Sequence, residues 1–216
     1  VEEGLPAEDG SAFGLFLPLP AGDRPKRLSL LLAVHEEGGT RHLEAPLLLL
    51  PDPERARVKR LFTRAELLRR PLLFLGTNGR GAMLRAAVAW GALESKYDAL
   101  LAANVSAAFP EDRWILFTRC RAWLVYQGFS QEINLDCLQA FAAGNSGAAF
   151  WRYEIPCGQG EHVRLTIGLE MATGENAVHL AFFRHPAGAN TGRLADATPV
   201  RLVLRPDIES RSFHET

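Results

Sequence analysis

Val163-Arg164-Leu165-Thr166-Ile167-Gly168-Leu169-Glu170-Met171 decides the fold class. Val163, Leu165, Ile167, Leu169 and Met171 alternate with Arg164, Thr166, Gly168 and Glu170, a period of two that places the apolar side chains on one buried face. The period returns at Val178, Leu180 and Phe182, after the turn Thr173-Gly174-Glu175-Asn176, and at Val200, Leu202 and Leu204, beside Arg201 and Arg205. Trp114 to Tyr126 is apolar on both faces apart from Arg119 and Arg121, and reads as two central strands in sequence. Turn glycines recur at Gly128, Gly144 to Gly147, Gly158 to Gly160 and Gly188 to Gly192. Short strands at this spacing predict a mainly β fold, a large antiparallel β-sandwich rather than βαβ units.

Upstream of residue 72 the pattern is different. Three β-like runs cover 12–19, 27–35 and 41–50, and Pro18, Pro20 and Pro46 push them toward edge or irregular strands. Pro51 to Arg70 reads as the helical part. Within it Thr63-Arg64-Ala65-Glu66 is a capping box, Arg69-Arg70 suits the negative helix end, and Pro71 stops the helix. The basic cluster Arg55-Ala56-Arg57-Val58-Lys59-Arg60 then falls on a solvated helix face. The expected fold carries one or two short helices, and the expected division is a β-rich lead-in plus a short helix over 1–71 and a sandwich over 72–216.

Composition narrows the function. The chain has 216 residues, 47% of them hydrophobic, enough for a sizeable core. Its 24 basic and 25 acidic residues nearly cancel, so no net field favours nucleic acid or an acidic membrane. Cys120, Cys137 and Cys157 form no CxxC pair, and an odd count is a poor disulfide framework; reduced thiols in a cytoplasmic protein fit best. Leu28 to Val34 is far short of a membrane span, and no signal peptide opens the chain. With Val1 first and His214-Glu215-Thr216 last, the sequence reads as a piece of a longer protein.

The motifs of familiar chemistries are missing from the sequence. The histidines at 35, 42, 162, 179, 185 and 214 have no metal-ligand spacing, and no HExxH, GxSxG, Walker or dinucleotide motif occurs. No metal or cofactor is expected. Glycoside hydrolysis needs two placed carboxyl groups, and none of Glu94, Asp98, Glu132, Asp136, Glu154, Asp207, Glu209 and Glu215 stands out as one of a pair. Trp90, Tyr97, Trp123, Tyr126, Phe129, Phe150, Trp151 and Tyr153 read either as core or as a platform for the apolar faces of sugars. Gly76-Thr77-Asn78-Gly79-Arg80-Gly81 reads as a tight turn, whose backbone N–H groups and asparagine side chain are also suited to a polar ligand.

Five segments taken in order resemble the glycogen debranching enzyme N-terminal domain family. Phe74-Leu75-Gly76-Thr77-Asn78-Gly79-Arg80-Gly81 is similar to its Thr-Asn-Gly-x-Gly-Gly opening, and Ser95-Lys96-Tyr97-Asp98-Ala99-Leu100-Leu101 to its Arg-Arg-Tyr-His-Gly-Leu-Leu run. Trp151-Arg152-Tyr153, Gly174-Glu175-Asn176, and Leu204-Arg205-Pro206 with Arg211 and His214 match its later motifs. Asp98-Ala99 replace the family's His-Gly, and Arg80 and Ala82 alter the glycine loop.

The resemblance implies a supersandwich of the galactose-mutarotase-like kind, linked to an (α/α)6 barrel that holds the catalytic carboxylates of an amylo-α-1,6-glucosidase. The 216 residues would then be non-catalytic, pack on that barrel, and meet α-glucan, glycogen or branched dextrin, through the parent enzyme. The residues expected at the sugar-site rim are Asn78, Arg80, Lys96, Tyr97, Asp98, Arg205 and His214. The alternatives are a stand-alone carbohydrate-binding module, and a self-sufficient sandwich sugar epimerase using a histidine and a carboxylate.

Overall fold

The computed structural model describes residues 4–6, 12–14, 16–17, 19–20, 22–36, 38–51, 59–106, 108–109, 112–144, 147–189 and 192–215. These residues fall into two compact units, Val1–Val58 and Lys59–Thr216.

The first unit is a ribbon. β1 (Leu5–Pro6) pairs with β2 (Ala12–Phe13), and β3 (Lys26–Glu36) pairs antiparallel with β4 (Gly39–Leu49). Both long runs expected here are strands. Of the 12–19 run, the described strand is Ala12–Phe13, while residues 15 and 18 lie outside the description. Pro46 sits opposite Ser29 in a strand that, among the described residues, pairs with one partner, the setting in which a strand proline is tolerated.

The second unit is the sandwich. Its strands are β5 (Lys59–Thr63), β6 (Leu73–Thr77), β7 (Met83–Ala87), β8 (Ala99–Asn104), β9 (Arg113–Tyr126), β10 (Phe129–Glu132), β11 (Leu138–Gly144), β12 (Ala148–Gly158), β13 (Glu161–Met171), β14 (Val178–Arg184) and β15 (Arg201–Ser212). One sheet has the order β14-β13-β12-β11-β5. The other runs β10-β9-β8-β7-β6, with β15 along the free edge of β9. All pairings between these strands are antiparallel. The predicted mainly β, antiparallel sandwich is the observed architecture.

The alternation of β13 works as read: Val163, Leu165, Ile167, Leu169 and Met171 are all buried. They meet Phe74, Leu84 and Trp90 of the facing sheet and its loop in one core. Trp151 is the hub. It is 0% exposed, and its ring stands 6.3 Å from Phe74, 5.1 Å from Trp90 and 4.9 Å from Phe141. Its indole Nε1 donates to the Val88 carbonyl at 2.9 Å, so the buried polar atom is satisfied across the sandwich. Two hairpins turn sharply. Gln127-Gly128 and Gln159-Gly160 have both central residues at positive φ (46° and 82°, 53° and 79°), the geometry that matches strand twist in two-residue loops.

Three expectations change. Of Pro51 to Arg70 only Arg64–Arg69 (α1) is α-helical, and Lys59–Thr63 is a strand paired with β11; residues 52–58 lie outside the description. Lys59 and Arg60 therefore lie on a strand, 5.2 Å and 5.0 Å from the rings of Phe150 and Phe62, rather than on a helix face. Trp114 to Tyr126 belongs to one strand, not two, because β15 flanks most of its length on one side while β8 and β10 divide the other. The strand and helix over 59–69 lie in the compact unit Lys59–Thr216.

The capping box is present. Thr63 N–H donates to Glu66 Oε2 at 2.7 Å, and Glu66 N–H donates to Thr63 Oγ1 at 3.4 Å. The Thr63 bonds hold the Glu66 carboxyl below its ordinary value. Arg64 fastens the helix start by donating to the carbonyls of Leu135, Asp136 and Leu138 around a single 3-10 turn, Leu135–Cys137.

Candidate functional site

Asn78 organises the turn between β6 and β7. Its side-chain Oδ1 accepts the N–H groups of Arg80 (2.8 Å) and Ala82 (3.1 Å), which closes the loop while Gly79 and Gly81 take positive φ. Its Nδ2 donates across the sandwich to the Glu175 carbonyl (2.9 Å) and to Asn176 Oδ1 (3.0 Å). Gly174 N–H donates to the Asn78 carbonyl at 2.9 Å, and Arg80 Nη1 donates to the Gly174 carbonyl at 3.1 Å. The two turns singled out in the sequence are thus one structure. The buried Asn78 side chain makes four hydrogen bonds inside it, so its part in any ligand site is to fix the loop. Asn78→Ala is expected to cost about 2–4 kcal/mol, since each net hydrogen bond contributes ~1 kcal/mol and stranded partners add to the loss; thermal melts check this.

A cleft of about 710 Å3 opens over this pair of turns, lined by Gly79, Arg80, Gly81, Asn104, Val105, Gly174 and Asn176. Asn176 Nδ2 donates to the Asn104 carbonyl at 3.2 Å and so ties the cleft to the end of β8. The lining is polar, with one exposed apolar side chain, Val105, a composition suited to hydroxyl-rich ligands.

Arg113 extends the site toward the last residues described. Its Nε donates to the Gly81 carbonyl at 2.5 Å, and its own carbonyl accepts from Phe213 N–H at 2.8 Å. The Phe213 ring lies 4.9 Å from that of Tyr97, and the His214 ring 6.2 Å from it. Lys96 Nζ donates to the His214 carbonyl at 3.1 Å, and Arg211 Nη2 donates to the Lys96 carbonyl at 2.6 Å. Asp98 closes the segment from below. It is 2% exposed, pairs with Arg85, and accepts the N–H groups of Glu94 (2.6 Å) and Ser95 (2.9 Å).

Six of the seven expected residues, Asn78, Arg80, Lys96, Tyr97, Asp98 and His214, are therefore joined by a continuous chain of contacts. Arg80, Lys96 and His214 are exposed, Tyr97 is half-buried, and Asn78 and Asp98 are buried beneath them. Arg205 is elsewhere: it lies on β15 opposite Arg121, 3.4 Å from Asp207. Arg113, Arg211 and Asn176 complete the contacts and were not among the expected residues. Arg211 and Asn176 stood in quoted motifs, whereas Arg113 carried no local signal.

A glycosidase acid needs a carboxyl whose pKa is raised. Asp207 is displaced the other way, chiefly by its hydrogen bond to Arg119 at 2.7 Å. A carboxyl depressed by folding contributes stability above its ordinary pKa of 3.8 and loses it as the pH falls through the folded value. The melting-temperature gap between the parent chain and Asp207→Asn is thus expected to be open at neutral pH and to close in acid, as melts across that range check. Burial pushes the thiols of Cys120, Cys137 and Cys157 up, so these free cysteines are resting side chains rather than nucleophiles. Among the described residues no group of histidine, cysteine and carboxylate side chains is arranged to hold a metal.

Residues 74–216 match the family described as glycogen debranching enzyme N terminal. The chain belongs to that family. The match takes in the whole Asn78-to-His214 contact chain, and β5 and α1 of the sandwich precede it. No curated protein and no solved structure matches the chain at a significant level. No described helix is long and apolar enough to cross a membrane.

Proposed function

We propose that the chain is the non-catalytic β-sandwich domain of a cytoplasmic glycogen-debranching amylo-α-1,6-glucosidase, working beside an (α/α)6 catalytic domain. In this reading the parent enzyme hydrolyses α-1,6 branch points of glycogen. The sandwich lends a polar rim to the sugar site. Arg80, Lys96, Tyr97 and His214 would face the glucan, while Asn78 and Asp98 hold them in place.

The observation that carries the proposal is the merging of separate family segments into one contact chain: the glycine loop, the Gly-Glu-Asn turn, the Lys-Tyr-Asp segment and the terminal Arg-x-x-His. Segments spread over the whole domain meet at one rim, as a surface that orients a branched sugar requires. Arg205, expected at this rim, stands apart from it beside Arg121 and Asp207.

Co-sedimentation with glycogen tests the reading. A domain that only borders a site completed by a catalytic partner stays in the supernatant. Firm retention of this chain by itself would favour the carbohydrate-binding module instead.

A further inference from the structure

The face of β9 and β15 that points away from the core carries charge the rim does not use. Cys120, Ala122 and Leu124 of β9 enter the core, so alternation turns Arg119, Arg121 and Trp123 outward. Opposite them on β15 stand Asp207, Arg205 and Val203, with Arg201 next, opposite Val125. Glu132 of β10 is opposite Trp123 on the other flank. Four guanidinium groups share this face with two carboxylates, on a chain whose net charge is −1.

The carboxylate of Asp207 is spread thin. It lies 2.7 Å from Arg119 Nε, 3.4 Å from Arg205 Nε and 3.9 Å from Arg121 Nη2. Arg119 is well served, because its Nη1 also donates to the Gly91 carbonyl at 3.0 Å. Arg121 and Arg205 are not: they are directly opposite in register and like-charged, an arrangement that destabilises a cross-strand pair. Arg205 is 63% exposed, and among the described residues its guanidinium makes no hydrogen bond closer than that loose contact with Asp207. Arg121 is held with its guanidinium carbon 5.7 Å from the centre of the Trp123 ring, a packing that fixes the direction of its donors.

We propose that Arg121 and Arg205 form a binding site for a phosphate group, with Trp123 beside it to contact the apolar face of a hexose that carries the phosphate. Two guanidinium groups facing each other across a ladder present paired donors that match phosphate oxygens. A bound dianion also relieves the repulsion between them. Asp207 competes for the same donors, which sets an upper limit on affinity and gives the site a diagnostic. The site lies apart from the sugar rim; its phosphate half stands without the glucosidase reading, and its hexose half rests on that reading.

The test is calorimetric titration of the purified 216-residue chain at low salt, once with inorganic phosphate and once with glucose 6-phosphate. Saturable binding is expected, weakened at least tenfold by Arg205→Ala and less by Arg205→Lys. Asp207→Asn is expected to tighten it several-fold by removing the competing carboxylate. Arg152→Ala, an exposed arginine on the other sheet, should leave it unchanged. Equal affinity for the two ligands assigns the site to the phosphate group alone; tighter binding of the ester adds the Trp123 contact. Absence of binding, or equal affinities for the parent chain and Arg205→Ala, overturns the proposal.

Discussion

Trp151→Ala is expected to destabilise the sandwich by about 3–5 kcal/mol, the range for removing a large aromatic side chain from a packed core. For a unit of this size that lowers the melting temperature by roughly 6–20 °C. Three losses combine. The ring leaves a cavity between Phe74, Trp90 and Phe141, which contact it from both sheets. The Val88 carbonyl loses its indole donor. The segment after β7, which Val88 begins, loses its tie to the opposite sheet. Trp151→Phe keeps most of the volume and is expected to recover more than half of the loss. Calorimetric melts of the two variants separate the packing from the hydrogen bond.

Asp98→Ala has an expected cost of similar size, about 3–5 kcal/mol, for another reason. Removing the buried carboxylate of an ion pair leaves the half-buried partner charge, and the groups that bonded to the carboxylate, uncompensated. Here Arg85 loses its carboxylate, and the Glu94 and Ser95 N–H groups lose their acceptor. Asp98→Asn retains an acceptor for those N–H groups and is expected to cost less. The local consequence bears on function. Residues 94–98 carry Lys96 and Tyr97, so the alanine variant should also loosen the tilted packing of Tyr97 against Phe213. Denaturant unfolding gives the stability, and aromatic chemical shifts of Tyr97 report the loosening.

Where the sequence was readable, one physical signal sufficed. β13 has one face in the core, so its apolar residues alternate and its strand state is visible in isolation. β9 carries Trp123 and Val125 beside Arg119 and Arg121 on its outward face, which blurs the alternation and hides that it is one strand. β5 is a strand because it pairs with β11, far along the chain, and nothing in its basic residues announces that partner. The capping box was legible because its bonds span three residues.

The candidate site divides in the same way. The glycine loop and the Gly-Glu-Asn turn were each visible as turns, through residues that tolerate positive φ. Their union through the four bonds of Asn78 is a tertiary fact. Arg113 bridges the loop and Phe213 with no local motif, and so was invisible. Arg205 was drawn toward the rim by its nearness in sequence to Arg211 and His214, yet bulges in β15 and its pairing with β9 carry it to a separate arginine cluster.

Under the proposed function this sandwich supports glucan hydrolysis without performing it. The most direct measurement is glucose release from a limit dextrin bearing single α-1,6-linked glucosyl branches, incubated with the purified chain and, in parallel, with an intact debranching enzyme. Glucose is expected from the intact enzyme and none from this chain. Glucose released by this chain, and lost on heat unfolding, would contradict the proposed function.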